Sequence, residues 1–255
     1  MTMKSILVLL SILIITGTTV FGQDSTLKEE QIQSIEKLIR VFKTKSKRKI
    51  ADLVYYPLRR EYPLKDVKHK NDFIRRFDDI FDRALIDLVA KSKIDDWSEV
   101  GWRGIMLENG ILWISDEGKI MTVNYQSPRE KQLLVHAIQD NRNQLPKSLQ
   151  QFNKPLYLIF TKHYKIRIDK KADGIYRYAA WKIRQAKSEP DIIVENGVLE
   201  FHGSGGNHTI TFKNNAYTYA VSIIEIGSTD TPDAILEVLK DGKTILTEDG
   251  DIKRN

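Results

Sequence analysis

The sequence has no cysteine. That excludes disulfides, thiolate metal sites, a cysteine nucleophile and lipid attached at a cysteine. It also argues against a small stapled scaffold, because the fold must stand on its apolar core. Familiar catalytic signatures are missing as well. There is no Gly-x-Ser-x-Gly elbow, no His-Glu-x-x-His and no calcium loop. No internal repeat or low-complexity tract is present. These absences lean the reading away from an enzyme, and no cofactor or resident metal is expected. Long apolar runs are absent after the first residues, so no later segment reaches the ~20 residues of a spanning helix.

What is present is an ordinary globular composition. The chain has 255 residues, 41% of them apolar, 29% charged and 9% aromatic. Length alone allows one large or two small domains. The opening differs from the rest. Lys4 precedes a compact apolar run from Ile6 to Ile15, followed by a small polar stretch and Val20-Phe21-Gly22. That pattern predicts a signal peptide over 1–22, with Gln23 as the new N-terminus and a periplasmic or secreted product. Net charge is +6, and Lys4 is the only charged residue of the leader. So modest a surplus serves solubility.

Three regions follow. Over about 25–95, Ile32, Ile35, Leu38, Ile39 and Phe42 recur at helical steps. Ser25 or Thr26 with Glu29 resembles a capping box. A second, long amphipathic helix is predicted from Asn71 or Asp72 through Val89. Over about 97–127 the period changes to that of strands. Asn109-Gly110 and Asp116-Glu117-Gly118 separate apolar runs, which predicts a three-stranded meander. A helix at about 128–144 begins at Ser127-Pro128, and 146–155, holding Pro146 and Pro155, is the candidate linker. From 156 to 255 short strands alternate with turn residues, including Asn196-Gly197 and Asp241-Gly242. The expected fold class is α+β: helices plus an antiparallel meander over 25–145, then an all-β sandwich or barrel.

Trp97, Trp102 and Arg103, flanked by Gly101 and Gly104, form the most distinctive stretch. Tryptophan and arginine are enriched in binding hot spots. The same indoles can equally cap a core where helix meets sheet. Gly203, Ser204, Gly205, Gly206, Asn207 and His208 form the second candidate. The glycines can make an anion nest, and His202 and His208 can share a metal if a third ligand arrives through the fold. A simple turn between strands explains them too. Asp78, Asp79, Asp82 and Asp87 interleave with arginines at helical spacing, which suits a solvated charged face better than acid–base chemistry. Lys43 to Lys49, with Arg59, Arg60 and nearby tyrosines, is the densest basic patch. A solvated helix face explains it; if it binds, an exported protein would offer it to an anionic envelope polymer and not to nucleic acid.

At Asp96 to Met106, and again at Asn196 to His208, the chain resembles uncharacterised exported proteins of Gram-negative bacteria. The Phe-Gly ending of the leader is similar to those of the Bacteroidota. That resemblance implies no activity. The order of helices then meander resembles the cone-shaped domains of the nuclear transport factor 2-like type. The closing strands resemble periplasmic lysozyme inhibitors, although the cysteines common in those are missing. Three functions are therefore carried forward. The first is a non-enzymatic binding module for a protein or an envelope polymer. The second is an enzyme with a pocket in the N-terminal region, using Asp79 or Asp82. The third is a structural or assembly factor.

Overall fold

The structure is a computed structural model that describes residues 27–183 and 189–254. The expected leader and the Ser25/Thr26 cap lie outside the described residues.

The first unit is built from helices and a small sheet. Helix α1 (Glu29–Lys43) buries Ile35, Leu38, Ile39 and Phe42, the apolar stripe visible in the sequence. Its first turn is closed by Gln31, whose Oε1 accepts from the Lys28 N–H at 2.8 Å. A short α2 (Lys47–Ala51) follows. The single long helix expected over 71–89 is two helices, α3 (Lys70–Ile80) and α4 (Arg83–Lys91). The break has a local cause. Asp82 takes extended backbone angles and its side chain accepts from the Leu85 N–H at 2.9 Å, which caps α4. The apolar face survives the break, since Phe73, Phe77, Phe81 and Leu85 are all fully buried. Three of those rings interlock, with centroids 5.3–5.6 Å apart.

The meander has one strand more than expected. Strands β1 (Trp97–Glu99), β2 (Ile105–Leu107), β3 (Leu112–Ile114) and β4 (Ile120–Val123) form an antiparallel sheet in sequence order. The addition is β1, whose Trp97 pairs with Leu107. Gly104 sits at φ 89°, and a Cβ there would lie 2.4 Å from the Ile114 carbonyl, so only glycine fits the approach. Helix α5 (Pro128–Asn143) starts as the sequence predicts, with Ser127 Oγ accepting from the Glu130 N–H and proline in the first turn.

The second unit is a closed antiparallel barrel. Its strands are β5 (Lys154–Thr161), β6 (Tyr164–Lys170), β7 (Tyr176–Lys182), β8 (Ile192–Phe201), β9 (His208–Asn214), β10 (Tyr217–Ile223), β11 (Ala234–Lys240) and β12 (Lys243–Ile252). Each pairs with its chain neighbour, and β12 closes on β5 through Gly250–Thr161 and Ile252–Ile159. This is an up-and-down barrel, which resolves the choice between sandwich and barrel. The turn expected at Asn196-Gly197 between two short strands lies inside one strand, β8. Asn196 and Gly197 make an irregularity inside β8, not a hairpin, and the β7–β8 register shifts there. Gly197 also clears the Phe212 ring, which a Cβ would meet at 2.3 Å.

Inward positions alternate as a barrel requires: Ile166 and Ile168, Tyr178 and Ala180, Ile210 and Phe212, Val221 and Ile223. Strands β6 and β7 are buried on both faces. Their outer face carries Arg167, Asp169, Arg177 and Trp181, covered by the segment expected as a linker. Leu149 and Phe152 of that segment are buried, and Leu149 packs with Ala179 and Trp181. Burying one such side chain contributes ~1.5–3 kcal/mol. Arg177 donates to the Leu149 carbonyl at 2.8 Å, and Arg142 of α5 donates to the Gln150 and Phe152 carbonyls. The connection is thus fastened to the barrel wall.

Candidate functional site

The barrel has two ends. The end carrying the β5–β6, β9–β10 and β11–β12 turns holds a cavity of about 410 Å³. Its depth is lined by Tyr178, Ala180, Leu236 and Val238. Its sides are lined by Tyr164, Tyr217, Tyr219, Ile192 and Leu246, and its rim by Lys182, Asp191 and Ile245. An eight-stranded barrel is just wide enough either to fill itself or to hold one small ligand. Here Phe212 and its aliphatic neighbours fill one half, and the tyrosine end is left open. The size falls within the range of small-molecule sites.

The tyrosines reach the cavity through strand periodicity. Tyr217 and Tyr219 stand two apart on β10, and Tyr176 and Tyr178 two apart on β7, so each pair shares the inward face. Tyr178 and Tyr219 stack, with centroids 5.2 Å apart and planes 26° from parallel. Burial, reinforced by the neighbouring phenols, pushes the Tyr178 and Tyr219 hydroxyls above their ordinary range. Both stay protonated at neutral pH. Beside the same end, Glu248 points inward from β12. Its carboxylate accepts from Thr161 Oγ1 at 2.6 Å and pairs with His163 Nδ1. Burial alone would raise this carboxyl, but the hydrogen bonds from Thr161 and His163 outweigh it and hold it below its usual value.

The residues singled out in the sequence lie elsewhere. Trp97 is 3% exposed and belongs to the core of the first unit, its Nε1 donating to Ser92 Oγ at 3.1 Å. Trp102 is 68% exposed. Arg103 lies over the Trp113 ring and reaches the Ser204 carbonyl at 3.5 Å. A Cβ on Gly205 would stand 3.7 Å from the Trp102 indole and 3.1 Å from Ile226. The two stretches, a hundred residues apart, therefore meet at the seam between helical unit and barrel. Gly203 and Gly206 take positive φ in that loop. Asn207 is a brace: Oδ1 accepts from the Glu225 and Ile226 N–H groups, and Nδ2 donates to the Ile226 carbonyl. His208 is buried in the barrel floor. Its Nδ1 donates to the Gly206 carbonyl at 2.8 Å, so Nε2 accepts from the Tyr157 hydroxyl at 3.0 Å. That phenol is pushed up to about 12, chiefly by burial. His202 turns instead to Thr209. Among the described residues no group of three or more His, Asp or Glu is placed to hold a metal.

Ion pairs use up most of the other charged candidates. Asp79 pairs with Arg129, Asp78 with Lys47, and Asp87 with Lys45. Asp82 caps α4 and accepts from the Tyr125 hydroxyl at 2.7 Å. Arg60 is buried against Glu130 and donates to the Val123 carbonyl. Arg59 crosses the seam to Glu225 at 2.8 Å. Of the basic residues singled out, Arg60 is buried, and Lys45, Lys47 and Arg59 each carry an acidic partner. The sequence reading missed Tyr164, Tyr178, Tyr217 and Tyr219; the Tyr-x-Tyr spacing within two predicted strands was the available signal.

Fold and cavity together define a class: an up-and-down barrel with a ligand-sized end cavity, carried beside a helical α+β unit. In comparisons with known proteins, no family model, curated protein or solved structure matches the chain.

Proposed function

We propose that this chain is an exported, non-enzymatic binding protein whose barrel takes one small, largely apolar ligand at its tyrosine-lined end. The observation that carries the reading is the 410 Å³ cavity itself, walled by aliphatic side chains and tyrosines within an otherwise well-filled barrel. Export rests on the leader-like residues 1–22. The helical unit acts as a base that closes the opposite end of the barrel, where Arg59, Tyr62 and Asp66 face Tyr157, Glu225 and Arg254. The acid–base alternative loses support because Asp79 and Asp82 are engaged in pairing and capping.

Ala180 lines the cavity, and phenylalanine there would project a ring into it and obstruct it. Titration with the neutral fluorophore N-phenyl-1-naphthylamine tests the proposal. Saturable one-to-one binding that Ala180→Phe abolishes, with melting temperature retained, is the expected result. No saturable binding, or binding indifferent to Ala180→Phe, contradicts it.

A second reading, docking of a protein partner at the seam, is favoured by Trp102, whose indole is exposed beside the exposed Ile226. Trp102→Ala would then abolish recovery of a stoichiometric partner from the envelope fraction without changing fluorophore binding.

A further inference from the structure

The ligand class can be narrowed from the polar groups of the cavity, and this step rests on the binding reading above. Tyr178 is 2% exposed, and its hydroxyl has no hydrogen-bond partner among the described residues. The ring is buried but the hydroxyl is not sealed off: it opens on the cavity, where a water or a ligand oxygen can satisfy it. The hydroxyls of Tyr164 and Tyr219 are likewise without a described partner and lie close enough to Tyr178 to interact with it electrostatically. Three phenolic donors therefore converge on one apolar space.

Their rings are less available than their hydroxyls. Tyr178 and Tyr219 stack on each other, and Lys240 already lies over Tyr217, 5.7 Å from the centroid. A cage of free aromatic faces, the arrangement that takes a cation, is not what these rings form. Charge is balanced at the rim, where Lys182 and Asp191 both contribute. Inside, the ionised group nearest in register is Glu248, directly across from Leu236, and it is already held by Thr161 and His163. An anionic head group would enter beside that carboxylate with no buried counter-ion, which is strongly unfavourable.

We infer that the barrel selects an uncharged lipophilic molecule carrying an oxygen acceptor, such as a ketone, ester, lactone or quinone, whose oxygen is hydrogen-bonded by the Tyr178 hydroxyl with Tyr164 and Tyr219 beside it. The phenols donate, and the aliphatic wall of Leu236 and Val238 covers the body of the ligand.

Four naphthalene probes of one ring size test this by calorimetry on the full chain: 2-acetylnaphthalene, 2-methylnaphthalene, 2-naphthoate and a 2-naphthylmethyl-trimethylammonium salt. The ketone is expected to bind about tenfold more tightly than the hydrocarbon and than either ion. Tyr178→Phe should erase the ketone's advantage while leaving the hydrocarbon affinity unchanged. Tyr219→Phe is the parallel variant should Tyr178→Phe melt early. A hydrocarbon that binds as tightly as the ketone, or an ion that binds more tightly, overturns the inference and leaves the cavity reading standing. Failure of every probe to bind overturns both.

Discussion

Arg177 Nη2 donates to Asp169 Oδ2 at 2.6 Å on the outer wall of the barrel, beneath the covering segment 144–153. Arg167 Nε donates to the same oxygen at 3.0 Å, and all three side chains are buried. One carboxylate thus holds two guanidiniums out of water. Removing it strands both. Asp169→Asn should cost ~3–5 kcal/mol, the range for breaking a buried pair by losing one partner. Arg59→Ala, which removes an arginine whose side chain is 52% exposed from its pair with Glu225, should cost under ~1 kcal/mol. Urea denaturation of the two variants checks the contrast; equal losses would contradict it.

The two tryptophans of the 97–102 stretch should separate cleanly. Trp97 fills the core beneath β1 and β2, and Trp97→Ala should cost ~3–5 kcal/mol. Trp102 is largely in solvent, and Trp102→Ala should move stability by ~0.5 kcal/mol or less. Thermal melts of both variants measure this directly.

Glu248 gives the barrel an acid-sensitive contact. Its carboxyl titrates below the ordinary glutamate value of 4.5, because hydrogen bonds from Thr161 and His163 outweigh burial. A depressed folded value means the carboxylate stabilises the fold at pH above 4.5 and loses that contribution as pH falls through the depressed value. The stability advantage of the wild type over Glu248→Gln should be constant near neutrality and shrink on acidification below pH 4.5. An advantage unchanged down to pH ~3 would show that the pair carries no such linkage.

Much of the fold could be read from the sequence, and the departures have local causes. The α1 stripe, the Ser127-Pro128 start of α5 and the Asn109-Gly110 turn all lie where periodicity and capping chemistry put them. The break at Phe81–Asp82 was hidden because the apolar face runs through it, and only the capping role of Asp82 separates α3 from α4. Asn196-Gly197 carries a strong hairpin signal, yet partners on both sides, β7 and β9, keep β8 continuous through it. Burial of Leu149 and Phe152 depends on a barrel wall that no local pattern announces. The cavity escaped for the same reason. Tyr164, Tyr178 and Tyr219 come from three strands, and closure of the barrel brings them together. The seam residues Trp102, Arg103 and Gly205 were found by composition, but their meeting across units is a property of the fold.

The most direct measurement is nuclear magnetic resonance of protein labelled in its tyrosine rings, titrated with N-phenyl-1-naphthylamine. Binding at the barrel end should shift the signals of Tyr164, Tyr178, Tyr217 and Tyr219 saturably, while Tyr55, Tyr56 and Tyr125 of the helical unit stay in place. Shifts confined to the helical unit, or no saturable shift at the four barrel tyrosines, would contradict a ligand-binding barrel.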